Sequence, residues 1–177
     1  ITITADSGTT RWGEITLNGS ATTWQHCLVS RAGHSPGGGH TGTGPAFRLG
    51  NGAVWTFEDG AVTDLAGKTL TNSGNTSMTM RRAHFARCGM GPETDGSAIT
   101  IEDCNFTDML PVYRETGSAD DEDNIYIHDS GGRPVVLRRS VFANAGDDGI
   151  DLLGGSLTGE DCIVRNILDK GISLLQN

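Results

Sequence analysis

The densest chemistry in the chain is carboxylate. Asp120, Asp121, Glu122 and Asp123 stand together, Asp147 pairs with Asp148, Asp151 follows closely, and Asp169 adjoins Lys170. Acidic groups held near one another repel, so something must compensate. Lys170 could do it, as could a hard cation such as Ca²⁺ taking oxygen ligands or a rise in pKa. The aspartates could equally be spent on capping turn amides. The calcium reading takes Asp121, Asp123, Asp147 and Asp148 as ligands. A second, weaker metal candidate is the pair His34 and His40, set in the Gly-rich run AGHSPGGGHTGTGP.

Those residues can converge only if the backbone between them repeats, and it does. Six segments align without internal gaps: TTWQHCLV from Thr22, WTFEDGAV from Trp55, MTMRRAHF from Met78, ITIEDCNF from Ile99, VVLRRSVF from Val135 and LTGEDCIV from Leu157. Their starts differ by 33, 23, 21, 36 and 22 residues, a period near 22 with two insertions. Such a period with β-type alternation indicates a solenoid. The third position is large and apolar (Trp24, Phe57, Met80, Ile101, Leu137), with Gly159 the exception. The sixth is small and the eighth apolar, as a stacked interior requires.

The fourth and fifth positions run Gln25-His26, Glu58-Asp59, Arg81-Arg82, Glu102-Asp103, Arg138-Arg139 and Glu160-Asp161. From the second coil on, the sign alternates at every level. At a strand spacing of about 4.8 Å, each acidic pair would lie between basic pairs, which favours the stack. The fold class expected is all-β: a right-handed parallel β-helix of about six coils, the hand following from the general preference for right-handed crossovers.

A second strand recurs as EITLNG, AFRLGN, KTLTNS, NIYIHD, GIDLLG and GISLLQ, and shows poorly near Gly89 to Ser97. Thr16, Arg48, Thr69, Tyr126, Asp151 and Ser173 would face outward. In register, Asp123, Asp148 and Lys170 form one column, and Glu122, Asp147 and Asp169 its neighbour. Both insertions, Ala32 to Pro45 and Thr107 to Asp123, fall on one side of the coil. Loops on a rigid scaffold often carry function, and these could wall a groove of about 14 Å on strand spacing. Tyr126, Asp151, Arg48 and, from the second loop, Arg114 are the candidate substrate contacts.

Net charge is −9, which argues against nucleic acid, whose phosphates need a basic face. No apolar run reaches membrane-spanning length. Cys27, Cys104 and Cys162 fall in one column, two or three coils apart, too far for a disulfide, so all four cysteines, Cys88 included, are expected as free thiols. The whole chain reads as one domain, a stretch of a longer protein with flanking coils, a neighbouring domain or end-to-end stacking.

AGDDGIDL followed by LDKGISL resembles the repeats of right-handed parallel β-helix proteins on bacterial cell surfaces, and RWGEITLNGSATTWQHCLVSRAG resembles the coil that often opens such domains. That resemblance implies fold and a secreted or cell-surface location. A narrower one is to polygalacturonase-type glycosidases, which carry NTDGID, GDDC and GHGISIG on successive coils where DEDNIYI, GDDGIDL and LDKGISL stand here. It implies Asp123, Asp147 and Asp148 as the carboxylates that activate water and protonate the glycosidic oxygen. Lys170 stands where that family has histidine, and its RIK motif has no counterpart before Asn177. β-helix polysaccharide lyases would instead use Ca²⁺ with Lys170 or Arg114 as base. The leading expectation is a non-catalytic module that binds glycan or serves as a rigid scaffold. A polysaccharide hydrolase or lyase and a self-assembling filament subunit are the alternatives.

Overall fold

The computed structural model describes residues 1–6, 10–34, 44–72, 74–113 and 121–175. Their strands are short and close in sequence. In chain order they are β1 (Thr2–Ile3), β2 (Ile15–Leu17), β3 (Ala21–Gln25), β4 (Leu28–Ser30), β5 (Phe47–Leu49) and β6 (Val54–Glu58). Then come β7 (Ala61–Asn72), β8 (Thr76–Arg81), β9 (His84–Thr94), β10 (Ser97–Glu102) and β11 (Asn105–Met109). After a 3-10 turn at Pro111–Tyr113 follow β12 (Ile125–Ile127), β13 (Val135–Arg138), β14 (Val141–Ala145), β15 (Ile150–Leu152), β16 (Leu157–Glu160), β17 (Ile163–Ile167) and β18 (Ile172–Leu174).

Every pairing recorded between them is parallel. The coil is three-sided. The repeated octapeptides build a six-stranded sheet in the order β16-β13-β10-β8-β6-β3. A second face runs β1-β4-β7-β9-β11-β14-β17, and β2, β5, β12, β15 and β18 with the far halves of β7 and β9 make the third.

Each octapeptide is therefore not one strand but two, bent at its fifth residue. His26, Asp59, Arg82, Asp103, Arg139 and Asp161 all take left-handed φ, between 45° and 54°. That conformation costs energy for residues with a Cβ, and arginine has no particular preference for it. Cross-coil ion pairs offset the cost. Arg82 grips Asp59 at 2.7 and 2.9 Å, and Arg139 grips Asp103 at 2.8 and 2.9 Å. One residue back, Arg81 lies 3.1 Å from Glu58 and 3.0 Å from Glu102, and Arg138 lies 3.2 Å from Glu102 and 3.1 Å from Glu160. The alternating ladder read from the sequence is present, and the bend it spans was not foreseen.

A second corner repeats the device. Arg31, Asp64, Arg87, Asp108, Asn144 and Asn166 have φ between 53° and 60°. Arg87 holds Asp64 at 2.7 and 2.8 Å, Asn144 donates to Asp108 at 2.9 Å, and Asn166 donates to Asn144 at 3.2 Å.

The core lies along the stack. The rings of Phe85, Phe106 and Phe142 stack with centroids 4.5 and 5.3 Å apart and planes within 9°, near the offset geometry that aromatic pairs favour. The four cysteines are free: Cys27, Cys88 and Cys104 are buried, and Cys162 is half-buried. Burial pushes the Cys88 thiol up to about 12 and the Cys104 thiol up to about 11, and the thiolate is the reactive form. Thiol titration in denaturant without reductant is expected to find four groups. Native protein should present Cys162 first, and a count of two would mean a disulfide and a misassigned column.

On the third face the outward row is Thr16, Arg48, Thr71, Glu93, Tyr126, Asp151 and Ser173. This corrects the expectation for Thr69, which is buried; Thr71 takes its place. The reason is local. Strand β7 runs through the corner where the preceding coil inserts a loop, and its register against β9 slips by one residue between Leu65 and Lys68. The poorly marked coil at Gly89 to Ser97 is filled in the same way, by β9 running through to Thr94.

Candidate functional site

The second insertion re-enters the coil at Asp121–Asp123, just before β12. Glycines let successive coils approach here: a Cβ on Gly91 would lie 1.9 Å from the Asn124 carbonyl oxygen, and one on Gly149 would lie 2.4 Å from that of Gly171. The pairings Ile125↔Ile150↔Ile172 put Asp123, Asp148 and Lys170 in one column, as the sequence indicated.

Within that column the carboxylates are engaged by backbone. Asp123 is 1% exposed and its Oδ1 accepts the Asp148 N–H at 2.7 Å. Asp148 is 3% exposed; its Oδ1 accepts the Lys170 N–H at 2.8 Å and lies 3.1 Å from Lys170 Nζ. Each aspartate caps an amide one coil further along, rather than one in its own turn. Burial pushes the Asp123 carboxyl up to about 8; the Asp148 amide opposes that rise, and the charges of Asp121, Asp147 and Asp148 add to it. Its Oδ2 is buried without a hydrogen-bond partner.

Asp147 and Asp169 form the outer column. The ligand oxygens of Asp147, Asp148 and Asp169 lie within 4.8 Å of one another. Of the four expected calcium ligands, then, Asp147 and Asp148 cluster together with Asp169, while Asp121 and Asp123 stand outside the cluster. Burial, with the charge of Asp148 next, raises the Asp147 carboxyl, and burial also raises that of Asp151. Lys170 reaches into the cluster, bonding Asp169 as well as Asp148, and these bonds raise its own pKa.

Among the candidate substrate contacts, Tyr126 is 6% exposed, with its ring centroid 4.4 Å from that of His128. Burial, with the surrounding carboxylates, pushes its phenol up to about 12. Asp151 is half-buried beside it in the row. Arg48 lies three coils away, roughly 14 Å on strand spacing, and is held by Glu14 at 2.7 and 2.9 Å. Arg114, Asp120 and His40 lie outside the described residues, and His34 is exposed.

Sequence reasoning missed the polar cluster next to this column. Lys68 is 2% exposed and paired with Glu93. Glu93 also lies 3.1 Å from His128 Nε2. The signal available was two opposite charges one coil apart in the second-strand segment, hidden by the irregular register of β7.

Among the described residues no helix is long and apolar enough to cross a membrane. No curated protein and no solved structure matches the chain. The family model described as right handed beta helix region matches residues 14–177. With its parallel three-sided coils and that match over nearly its whole length, the chain belongs to the right-handed β-helix family.

Proposed function

We propose that this β-helix is a non-catalytic module of a secreted or cell-surface protein, a rigid scaffold that presents its third face to glycan. The observation that carries the reading is the burial of Asp123 and Asp148, each committed to a backbone amide of the next coil. A glycosidase carboxylate must reach the scissile bond or its water, and these two hold the stack together instead. The half-buried His128 and Asp151, beside the buried Tyr126, offer the ring and polar edges that a sugar would meet. The test is a panel of polysaccharides scored for binding and for new reducing ends, with and without EDTA. Binding without new reducing ends is expected. Reducing ends that disappear in Asp147→Asn would overturn the reading.

The hydrolase alternative has one observation in its favour. A carboxyl pushed up to about 8, as in Asp123, suits a general acid near neutral pH. The same assay separates the two.

The oxygens of Asp147, Asp148 and Asp169 are the donor set a hard cation takes, so calcium could stiffen the column. Lys170 already supplies a positive charge there. Millimolar Ca²⁺ is therefore expected to raise the melting temperature of Lys170→Ala by more than that of the intact protein, because binding only to the folded state stabilises it. Equal shifts in both, measured against EDTA, would place the ion elsewhere.

A further inference from the structure

The outer face of the six-stranded sheet has an order that neither the core nor the candidate site requires. Across each strand run three outward positions. The first is small: Ala21, Val54, Ser77 and Ala98 are in register. The second is threonine at Thr23, Thr56, Thr79, Thr100 and Thr158, broken by Val136. The third is the charged row Gln25, Glu58, Arg81, Glu102, Arg138 and Glu160, flanked by the charges at the bend. These long side chains lie along the sheet, bonded coil to coil, so the face is level. The small and threonine rows are half-exposed or exposed.

We propose that this face is a contact surface for a second copy of the chain, packed sheet to sheet with its stacking order reversed. The argument is charge complementarity. Turn a copy about a two-fold axis parallel to the strands, midway between β8 and β10. Row then faces like row, and coil order inverts. Arg81 meets the other copy's Glu102, and Glu58 meets its Arg138. At the bend, Arg82 meets Asp103, and Asp59 meets Arg139. His26 faces Asp161, and Gln25 faces Glu160. Four of the five charged rungs meet their opposites, and the fifth, Glu160-Asp161, meets the polar rung Gln25-His26, so no like charges are opposed across the six strands.

The other face-to-face two-fold, along the stack, lays the charged row over the small one and leaves the carboxylates of Glu58 and Glu102 against Val54 and Ala98 and the Arg81 guanidinium against Ser77. That arrangement desolvates charges without pairing them. The threonine row lies at the centre of either arrangement and lets two sheets approach to the usual spacing of about 10 Å.

The contact is small. Six strands at about 4.8 Å and five residues at about 3.3 Å cover roughly 500 Å² per copy. That is near the lower limit for a specific interface. Complementary charge sets register and partner choice more than affinity. The dimer is therefore weak, reversible and sensitive to salt, and it does not depend on whether the third face binds glycan.

The experiment is sedimentation velocity from micromolar to about 0.5 mM, at low and at high salt. The expected result is a dimer that forms at roughly 0.1 mM in low salt and weakens at least tenfold in about 0.5 M NaCl, where screening is strong. Thr79→Arg places a bulky cation beside the two-fold axis and should leave a folded monomer, checked by circular dichroism and melting.

A chain with the sign of every charged pair from Glu58 to Asp161 inverted keeps its alternation and should still dimerise with itself. Mixed with the native chain it should form no heterodimer, because each rung then meets its like. A monomer at every concentration, a dimer indifferent to Thr79→Arg, or free mixing of native and inverted chains would each overturn the proposal.

Discussion

Replacing Lys68 with methionine is expected to cost about 3–5 kcal/mol, the range for breaking a buried ion pair by removing one partner. Lys68 is 2% exposed and its ammonium lies against Glu93, whose side chain is 10% exposed. Methionine keeps most of the apolar stem of lysine and drops the ammonium, so the packing loss is small and the effect is the loss of that charge from Glu93, which keeps His128 at 3.1 Å. The pair sits where β7 and β9 pass through the corner without a loop and where their register is irregular. It therefore acts as a cross-strand tie at the place where the ladder is weakest. The double variant Lys68→Met with Glu93→Gln should recover most of the loss, since an amide is far cheaper to bury than a carboxylate. Denaturant melts of the two single variants and the double variant give the coupling. A Lys68→Met variant within 1 kcal/mol of the native protein would mean that the charge of Glu93 is met elsewhere.

The parts of this fold that could be read in advance are those where stacking selects residue type. A column such as Phe85, Phe106, Phe142 has one size because the interior has one width at each level. The alternation at Glu58, Arg81, Glu102, Arg138 survives because like charges at strand spacing are penalised. The column Asp123, Asp148, Lys170 was legible from the register of the second strand, but the capping option left open was each aspartate's own turn, whereas each caps an amide of the next coil.

The bend at Asp59 or Arg82 was not legible. A left-handed φ is signalled by glycine, asparagine or aspartate, and two of the five charged pairs there are arginines, with a histidine at the first bend. Thr69 was misplaced because periodicity carries no mark of an irregular register, and Lys68 with Glu93 was lost at the same spot. Of the residues read as calcium ligands, Asp147 and Asp148 lie in an oxygen cluster with Asp169, and a linear reading does not reveal that Asp123 turns instead to the Asp148 amide.

Asp123→Asn is expected to stabilise the protein at pH 8 and to change little near pH 4. The native carboxyl is pushed up to about 8, whereas an aspartate in the unfolded chain titrates near 3.9. The folded state therefore binds the proton more tightly. Its contribution is fully present below about pH 4 and is lost as pH rises through 8, at up to about 1.4 kcal/mol per pH unit. Four units would bound the effect near 5 kcal/mol; relaxation of the site brings the expected gain of the asparagine variant to roughly 2–4 kcal/mol.

Asparagine keeps an oxygen for the Asp148 N–H, which Asp123 accepts at 2.7 Å. It also replaces the unpartnered Oδ2 with an amide that carries no charge beside Asp121, Asp147 and Asp148. Asp123→Ala supplies the control: it removes the repulsion and the cap together, so it should fall below asparagine at every pH. The measurement is the melting temperature of the three proteins from pH 4 to 9. A native protein whose stability rises across that range, or an asparagine variant that keeps the native slope, would show that the Asp123 carboxyl ionises normally and that the column is neutralised by other means.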